Sequence, residues 1–448
     1  MPDYKLDQDQ ADFYLQRIGE LFADTMRAID ETRAELSTPA AKLDSVESAL
    51  EKTAEILVDL TPDERSRIAE GLEASFADTE EGVSSAEIVS HIWDLIQDEP
   101  WAGTFILRLR RGLDRPQRLP IFLESLIIRA VTELDSQMIN LAGIYFQLQP
   151  KALAAQSEPI SLLTLLDSSD LDSVLQTSLE AELDKKARGG LKGWKAFFNE
   201  ATKTDFKNLG EYGEIVEIYE RRHCLVHHRG RVSRQYKLHT GSPLNIGEPL
   251  HVDEAYVARS IETLELFGIR LTGAAWKNLI PERFRRDFFT EQVAFDALSA
   301  SRWSIAEQLY KDKATDPANV AAATQAQVNI WIAKAERDGL DSVEREINSW
   351  DVSILSPLYQ FAKYCLLRDN DAAFDLLPKL LESEALRPRD LATWPLTARL
   401  RSDARIEDYR STISKYLQEE KDEEAEMTSL FALTPVPPKS ASGDNNTQ

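Results

Sequence analysis

From Leu119 to Leu148 apolar side chains recur at helical spacing without a break, and Pro150 stops the run. At 1.5 Å per residue this is a helix about 45 Å long. Its apolar stripe must be covered along its length, and the chain has helices to cover it. Among 448 residues glycine (18) and proline (19) are sparse, and strand-like alternation is rare. The expected fold class is all-α. Helical patterns resume at about 170–187, stop at Gly189-Gly190 and restart as LKGWKAFFNEATK. They recur at about 209–228, where Gly230 suits a C-cap, and from a cap at Asp253 to about 272. Residues 119–275 thus form one four-helix unit, with 231–252 as an extended or hairpin-like insert.

Before this unit, 9–36, 39–60, 62–78 and 85–112 read as amphipathic helices, with Thr61 as N-cap and Pro62 at the first helical position. Gly112 and Pro116 mark a boundary. After Pro281 helices come in pairs: about 290–302 with 304–315, 318–337 with 341–354, and 356–368 with 371–386. Breaks near Trp303, Asp338-Gly339 and Asp369-Asn370 have the spacing of helix-pair repeats. Ala306, Tyr310, Ala333, Ala335 and Ala362 sit where paired helices would touch. Four parts are expected: an N-terminal helical region (1–115), the helical bundle (116–275), a tetratricopeptide-like α-solenoid (282–425) and a disordered tail (426–448).

The formal net charge of −24 argues against a surface that broadly coats nucleic acid or anionic lipid. Any nucleic-acid site has to be a local basic island. The two cysteines, Cys224 and Cys365, are far apart and form no disulfide or zinc pattern, which fits a reducing cytoplasm. The acidic, polar start MPDYKLDQDQ shows no secretory signal, and no apolar run is long enough to span a membrane.

The stretch RRHCLVHHRG, 221–230, holds three of the six histidines. On a helix, Ile215, Ile218, Tyr219, Leu225 and Val226 form an apolar stripe with Arg222 in its middle. His223 and His227 share a flank, and Glu217 and Arg221 pair on the outer side. A buried guanidinium needs either a carboxylate of its own chain or an anion bound in a cleft. Between Arg221 and Gly247 there is no Asp or Glu, while Arg221, Arg222, Arg229, Arg231, Arg234 and Lys237 are all present. This is either a phosphate-binding island or a solvated basic loop. Imidazole can take and give a proton near neutral pH, and an adjacent arginine can stabilise charge on a phosphate. That chemistry suffices for metal-free cleavage of RNA by attack of the ribose 2′-hydroxyl, which DNA lacks. His223 and His227 also have the i,i+4 spacing of a zinc pair, but no acidic ligand follows and the arginines repel a cation. No metal or cofactor is therefore expected. Cys224 projects away from the histidine flank, and His91, His239 and His251 read as structural or surface residues.

With its arginine, apolar pair, closing histidine and following glycine, RRHCLVHHRG resembles the R-x4-6-H signature of the HEPN superfamily of helical ribonucleases. The long helix before it and the closing helix after it extend the resemblance over about 155 residues. The resemblance implies a homodimer whose motif helices face one RNA cleft. It implies Arg222 as phosphate ligand, His227 as proton-transfer residue and His223 as polar support. Arg221, His228, Arg229, Arg231, Arg234 and Lys237 would line the substrate path. Arg221 and His228 also satisfy the loose spacing. Members with x-Tyr after the histidine can be silenced by nucleotidylation; this chain departs from that pattern with His228-Arg229. Such domains occur in toxin–antitoxin and anti-phage systems, so the expected function is an endoribonuclease effector whose repeats bind an antitoxin or defence partner. The other reading is a catalytically silent domain that binds RNA or nucleotide, or a scaffold acting through its repeats.

Overall fold

A computed structural model describes residues 8–37, 61–76, 85–113, 118–157, 170–279, 283–411 and 413–414. The expected helix at 39–60 and the expected tail at 426–448 lie outside these residues. The chain divides into two compact units, 1–283 and 284–448. Among the described residues the protein is predominantly helical, with no strand and one isolated antiparallel bridge between Arg231 and Pro249. Among the described residues, no helix is long and apolar enough to cross a membrane.

The helices of the first unit are α1 (Gln8–Ser37), α2 (Pro62–Phe76), α3 (Ser85–Ile96), α4 (Ala102–Leu113), α5 (Arg118–Leu148), α6 (Pro150–Gln156), α7 (Leu171–Arg188), α8 (Gly190–Thr202), α9 (Tyr212–His227), α10 (Arg234–Thr240) and α11 (Glu254–Leu279). The long run at 119–148 is α5, and it supplies Ile127, Val131, Leu134 and Met138 to the core. Around it pack Trp194 and Phe198 of α8, Ile215 and Ile218 of α9, and Ile261 and Leu264 of α11. Each fully buried side chain of this kind contributes about 1.5–3 kcal/mol. Gln137 of α5 is buried, and its amide donates to Gly268 O and Thr272 Oγ1 of α11. A Cβ on Gly268 would collide with the Gln137 carboxamide, so a larger residue there displaces the Gln137 amide from its bonds to α11. The expected caps form: Asp253 accepts from Tyr256 N, and Thr61 with Glu64 makes a capping box before Pro62.

The N-terminal region divides differently from the expected 1–115. Helix α1 belongs to the bundle: Ile29 joins the main core, and Arg33 pairs with the fully buried Glu265 of α11. Helices α2–α4 have a small core of their own, built on Ile68, Ile92, Ile96 and Leu109. The single helix expected over 85–112 breaks at 97–101, where Pro100 cannot continue a helical ladder.

In the second unit the helices are α12 (Arg283–Ser299), α13 (Trp303–Thr315), α14 (Val320–Asp338), α15 (Glu344–Ser349), α16 (Pro357–Leu366), α17 (Asn370–Glu382), α18 (Pro388–Thr393) and α19 (Ala398–Arg401). All three expected breaks are present, and Ala306, Tyr310, Ala333, Ala335 and Ala362 are all buried. The third expected pair forms, as α16 on α17; the first two differ, since α13 packs on α14 and the helix expected at 341–354 shrinks to α15 and a 3-10 turn at Leu340–Ser342.

Candidate functional site

The motif lies on α9. The helix ends where His228 N and Gly230 N both donate to Cys224 O, at 2.8 and 3.1 Å. Arg229 and Gly230 adopt left-handed backbone, with φ of 54° and 67°. Gly230 terminates the helix as expected, although His228 holds the C-cap position itself. For Arg229 this conformation costs about 1–2 kcal/mol. It turns the chain back towards α9, where Leu250 N donates to Gly230 O at 2.7 Å.

The insert 231–252 is less extended than expected. Val232 N and Gly247 N exchange hydrogen bonds with Glu248 O and Val232 O, a short hairpin-like closure. Between them Ser233 caps α10 by accepting from Tyr236 N, and Gly241 ends it with φ 66°. Short capped helix wins over strand here because cap and terminator stand at the right separation.

One face of α9 carries a network that the helical wheel placed in solvent. Glu217 Oε1 accepts from Arg221 Nε (2.8 Å) and Tyr236 OH (2.7 Å), and its Oε2 accepts from Tyr256 OH (2.7 Å). Arg221 also donates to His251 O at 2.7 Å and lies over the Tyr256 ring at 4.1 Å. Its side chain is only 13% exposed. The pair with Glu217 forms as expected, but the outward placement of Arg221 does not hold, because α10 and the start of α11 cover this face. Arg221 therefore braces three elements instead of lining an open path. Burial works against its charge, but Tyr256 and Glu217 outweigh it and hold the guanidinium more firmly protonated than usual. Cys224 is buried on the same side against Val232, Tyr236 and Leu250, and its thiol meets Ser233 Oγ. Val226, expected in the apolar stripe, is 45% exposed; Cys224 takes its buried place.

The opposite face meets α5. Tyr219 OH donates to Asp135 Oδ1 at 2.9 Å. Burial raises the Asp135 carboxyl, against the pull of Tyr219 and of the Arg222 charge. Burial, with Asp135 beside it, raises the Tyr219 phenol well above its usual range. Arg222 is half-buried and feels Asp135, yet forms no hydrogen bond or salt bridge with the described residues, and its Nε is buried without a partner. A guanidinium so placed retains its full set of donors.

Between these faces lie the histidines. The His223 ring is 4.9 Å from that of His227 and 5.4 Å from that of His228. His223 is half-buried, and the other two are exposed. Burial, then the neighbouring His227, lowers the His223 pKa, while Glu220 opposes the shift. His223 is thereby favoured in its neutral, proton-accepting form. Among the described residues, no group of three or more His, Cys, Asp or Glu side chains is arranged to hold a metal ion.

The basic island is sorted by the fold. Arg231 donates to Gly247 O and Lys237 to Leu244 O, so both brace the insert. Arg229 and Arg234 are exposed and make no hydrogen bond or ion pair among the described residues. The span 221–247 lacks carboxylates in sequence, but the fold brings Glu217, Glu220 and Glu248 to its edge. Glu220 Oε1 lies 2.6 Å from His239 Nδ1, a structural contact of a half-exposed ring. Asp135, Glu220 and Tyr256 were missed as members of this neighbourhood; Tyr219, expected in the apolar stripe, packs on the core and adds its bond to Asp135. Glu220 alone was accessible from spacing, since E-x-x-H-x-x-x-H puts it on the flank of His223 and His227. Comparison of the chain with family models, curated proteins and solved structures finds no match.

Proposed function

We propose that the protein is a metal-independent endoribonuclease of HEPN type. The observation that carries this reading is Arg222. It stands uncommitted to any hydrogen bond or salt bridge of the described residues, beside a cluster of three histidines, while its neighbour Arg221 is fully used by the fold. Arg222 binds the scissile phosphate, and its charge offsets the charge that grows on the phosphoryl oxygens. His227 transfers the proton, His223 supports it in neutral form, and Arg229 and Arg234 attract the flanking phosphates. A second copy docked on this flank covers Val226 and brings a second motif helix to one RNA cleft. The helix pairs of the second unit serve as a partner-binding solenoid for an antitoxin or defence protein.

A silent, scaffolding domain is the second reading, favoured by the proximity of Asp135 to Arg222, since a carboxylate of the same chain competes with phosphate for the guanidinium. Purified protein incubated with total RNA and tRNA in EDTA separates the two. Cleavage that disappears in Arg222→Ala and His227→Ala supports the nuclease. Cleavage that needs a divalent metal, or that persists in both variants, contradicts it.

A further inference from the structure

Glu220 stands on the motif-helix flank one turn before His223 and two turns before His227. Its side chain is 13% exposed. Oε1 takes two donors from α10, His239 Nδ1 at 2.6 Å and Gln235 Nε2 at 3.2 Å. Oε2 is buried and without a partner. A carboxylate withdrawn from water and half-satisfied is costly unless its charge is used. Packing of α10 on α9 does not need it, because Tyr236 with Glu217 and Ser233 with Cys224 already join the two helices. Glu220 instead faces imidazole on both sides: His239 across the helix contact, and His223 one turn along, whose charged form it favours.

The contact with His239 has a chemical consequence. An ionised carboxylate only accepts, so the nitrogen at 2.6 Å carries the hydrogen. In the neutral ring Nε2 is then the lone-pair nitrogen, on the other edge of a side chain that is 46% exposed. This is the orienting arrangement by which a carboxylate sets the tautomer of a proton-transferring histidine.

We propose that Glu220 and His239 form an orienting pair that adds a second proton-transfer group to the His223/His227 flank. Glu220 is a positioning residue, and the proposal of a catalytic role for His239 rests on the ribonuclease reading above. Transphosphorylation moves two protons, and a separate group can handle each. One removes the 2′-hydroxyl proton as the O2′–P bond forms; the other gives a proton to O5′ as the P–O5′ bond breaks. His227 and His239 fill these two roles, so the proton count balances and the two rings exchange protonation states once per cleavage.

Two measurements on the full chain test this. In nitrogen-15 NMR of the histidine rings, with the His239 signals identified by their loss in His239→Asn, wild-type His239 is expected in the Nδ1–H form. Glu220→Ala should return it to the Nε2–H form that free imidazole side chains prefer. A wild-type His239 already in the Nε2–H form overturns the orienting pair. In cleavage assays at saturating RNA, His239→Asn and Glu220→Ala should each lower kcat by about 100-fold with KM within threefold of wild type. The double variant should be no slower than the slower single one. Wild-type-like kcat in His239→Asn, with Arg222→Ala inactive, overturns the catalytic role and leaves the ribonuclease reading standing. A wild type that cleaves no RNA sinks that reading and the catalytic role with it, while the NMR result still decides the orienting pair.

Discussion

Replacing Glu217 by alanine should loosen the region around the motif helix without touching a histidine. The carboxylate accepts from Arg221, Tyr236 and Tyr256, which belong to α9, α10 and α11. Burial and then Glu217 itself raise both phenols well above their ordinary range, so both are donors at any physiological pH. A hydrogen bond to a charged group contributes about 1.5–3 kcal/mol. Three such bonds do not add fully, because Arg221 keeps its bond to His251 O and its place over Tyr256. A loss of about 3 kcal/mol is the reasoned value for Glu217→Ala, and about half of that for Glu217→Gln, which keeps one acceptor oxygen. Amide hydrogen exchange on peptides from α9 and from the first turns of α11 reads this directly. Protection there should fall by about two powers of ten in Glu217→Ala. Protection within threefold of wild type would refute the view that one carboxylate holds these three elements together.

Gly230→Ala forces alanine to φ 67° and should cost about 1–2 kcal/mol, whereas Arg229→Gly at φ 54° should gain a similar amount, with opposite shifts in Tm. Tyr219→Phe removes the donor that steadies ionised Asp135 and should cost about 1–2 kcal/mol near neutrality. The Asp135 pKa is raised by burial, so its ionised form is the strained one; the Tyr219→Phe deficit in urea unfolding should grow as pH rises through that pKa and shrink in acid. The His223 pKa is lowered, so the unfolded chain takes up its proton first as pH falls below about 6.5. Stability should therefore decline through that window, and His223→Gln should flatten the decline between pH 7 and 5.

The elements of this fold announce themselves locally. Pro150, Gly189-Gly190, Asp253 and Gly339 are punctuation in the sequence, and each marks a helix end or beginning in the structure. The short helix α10 was equally legible, since Ser233 and Gly241 bracket it, although the segment as a whole reads as extended or hairpin-like. Tertiary assignments were harder. Helical spacing puts Arg221 opposite the apolar stripe, yet an insert can cover a polar face as well as an apolar one when its tyrosines bring hydroxyl groups to the carboxylate. Asp135 lies 87 positions before Arg222, and no local pattern joins them. The same holds for Arg33 and Glu265, which place α1 in the bundle. Only Glu220 was within reach, three and seven residues before the two histidines.

The most direct measurement is the chemistry of the product ends. A defined RNA oligonucleotide cleaved by the wild-type protein in EDTA should leave a 2′,3′-cyclic phosphate upstream and a free 5′-hydroxyl downstream. A single 2′-deoxy substitution at the cleaved nucleotide should abolish cleavage there, and Arg222→Ala and His227→Ala should leave the RNA intact. Products with 5′-phosphate ends, or cleavage at the 2′-deoxy position, would contradict a site in which Arg222 and the histidines drive attack by the ribose hydroxyl.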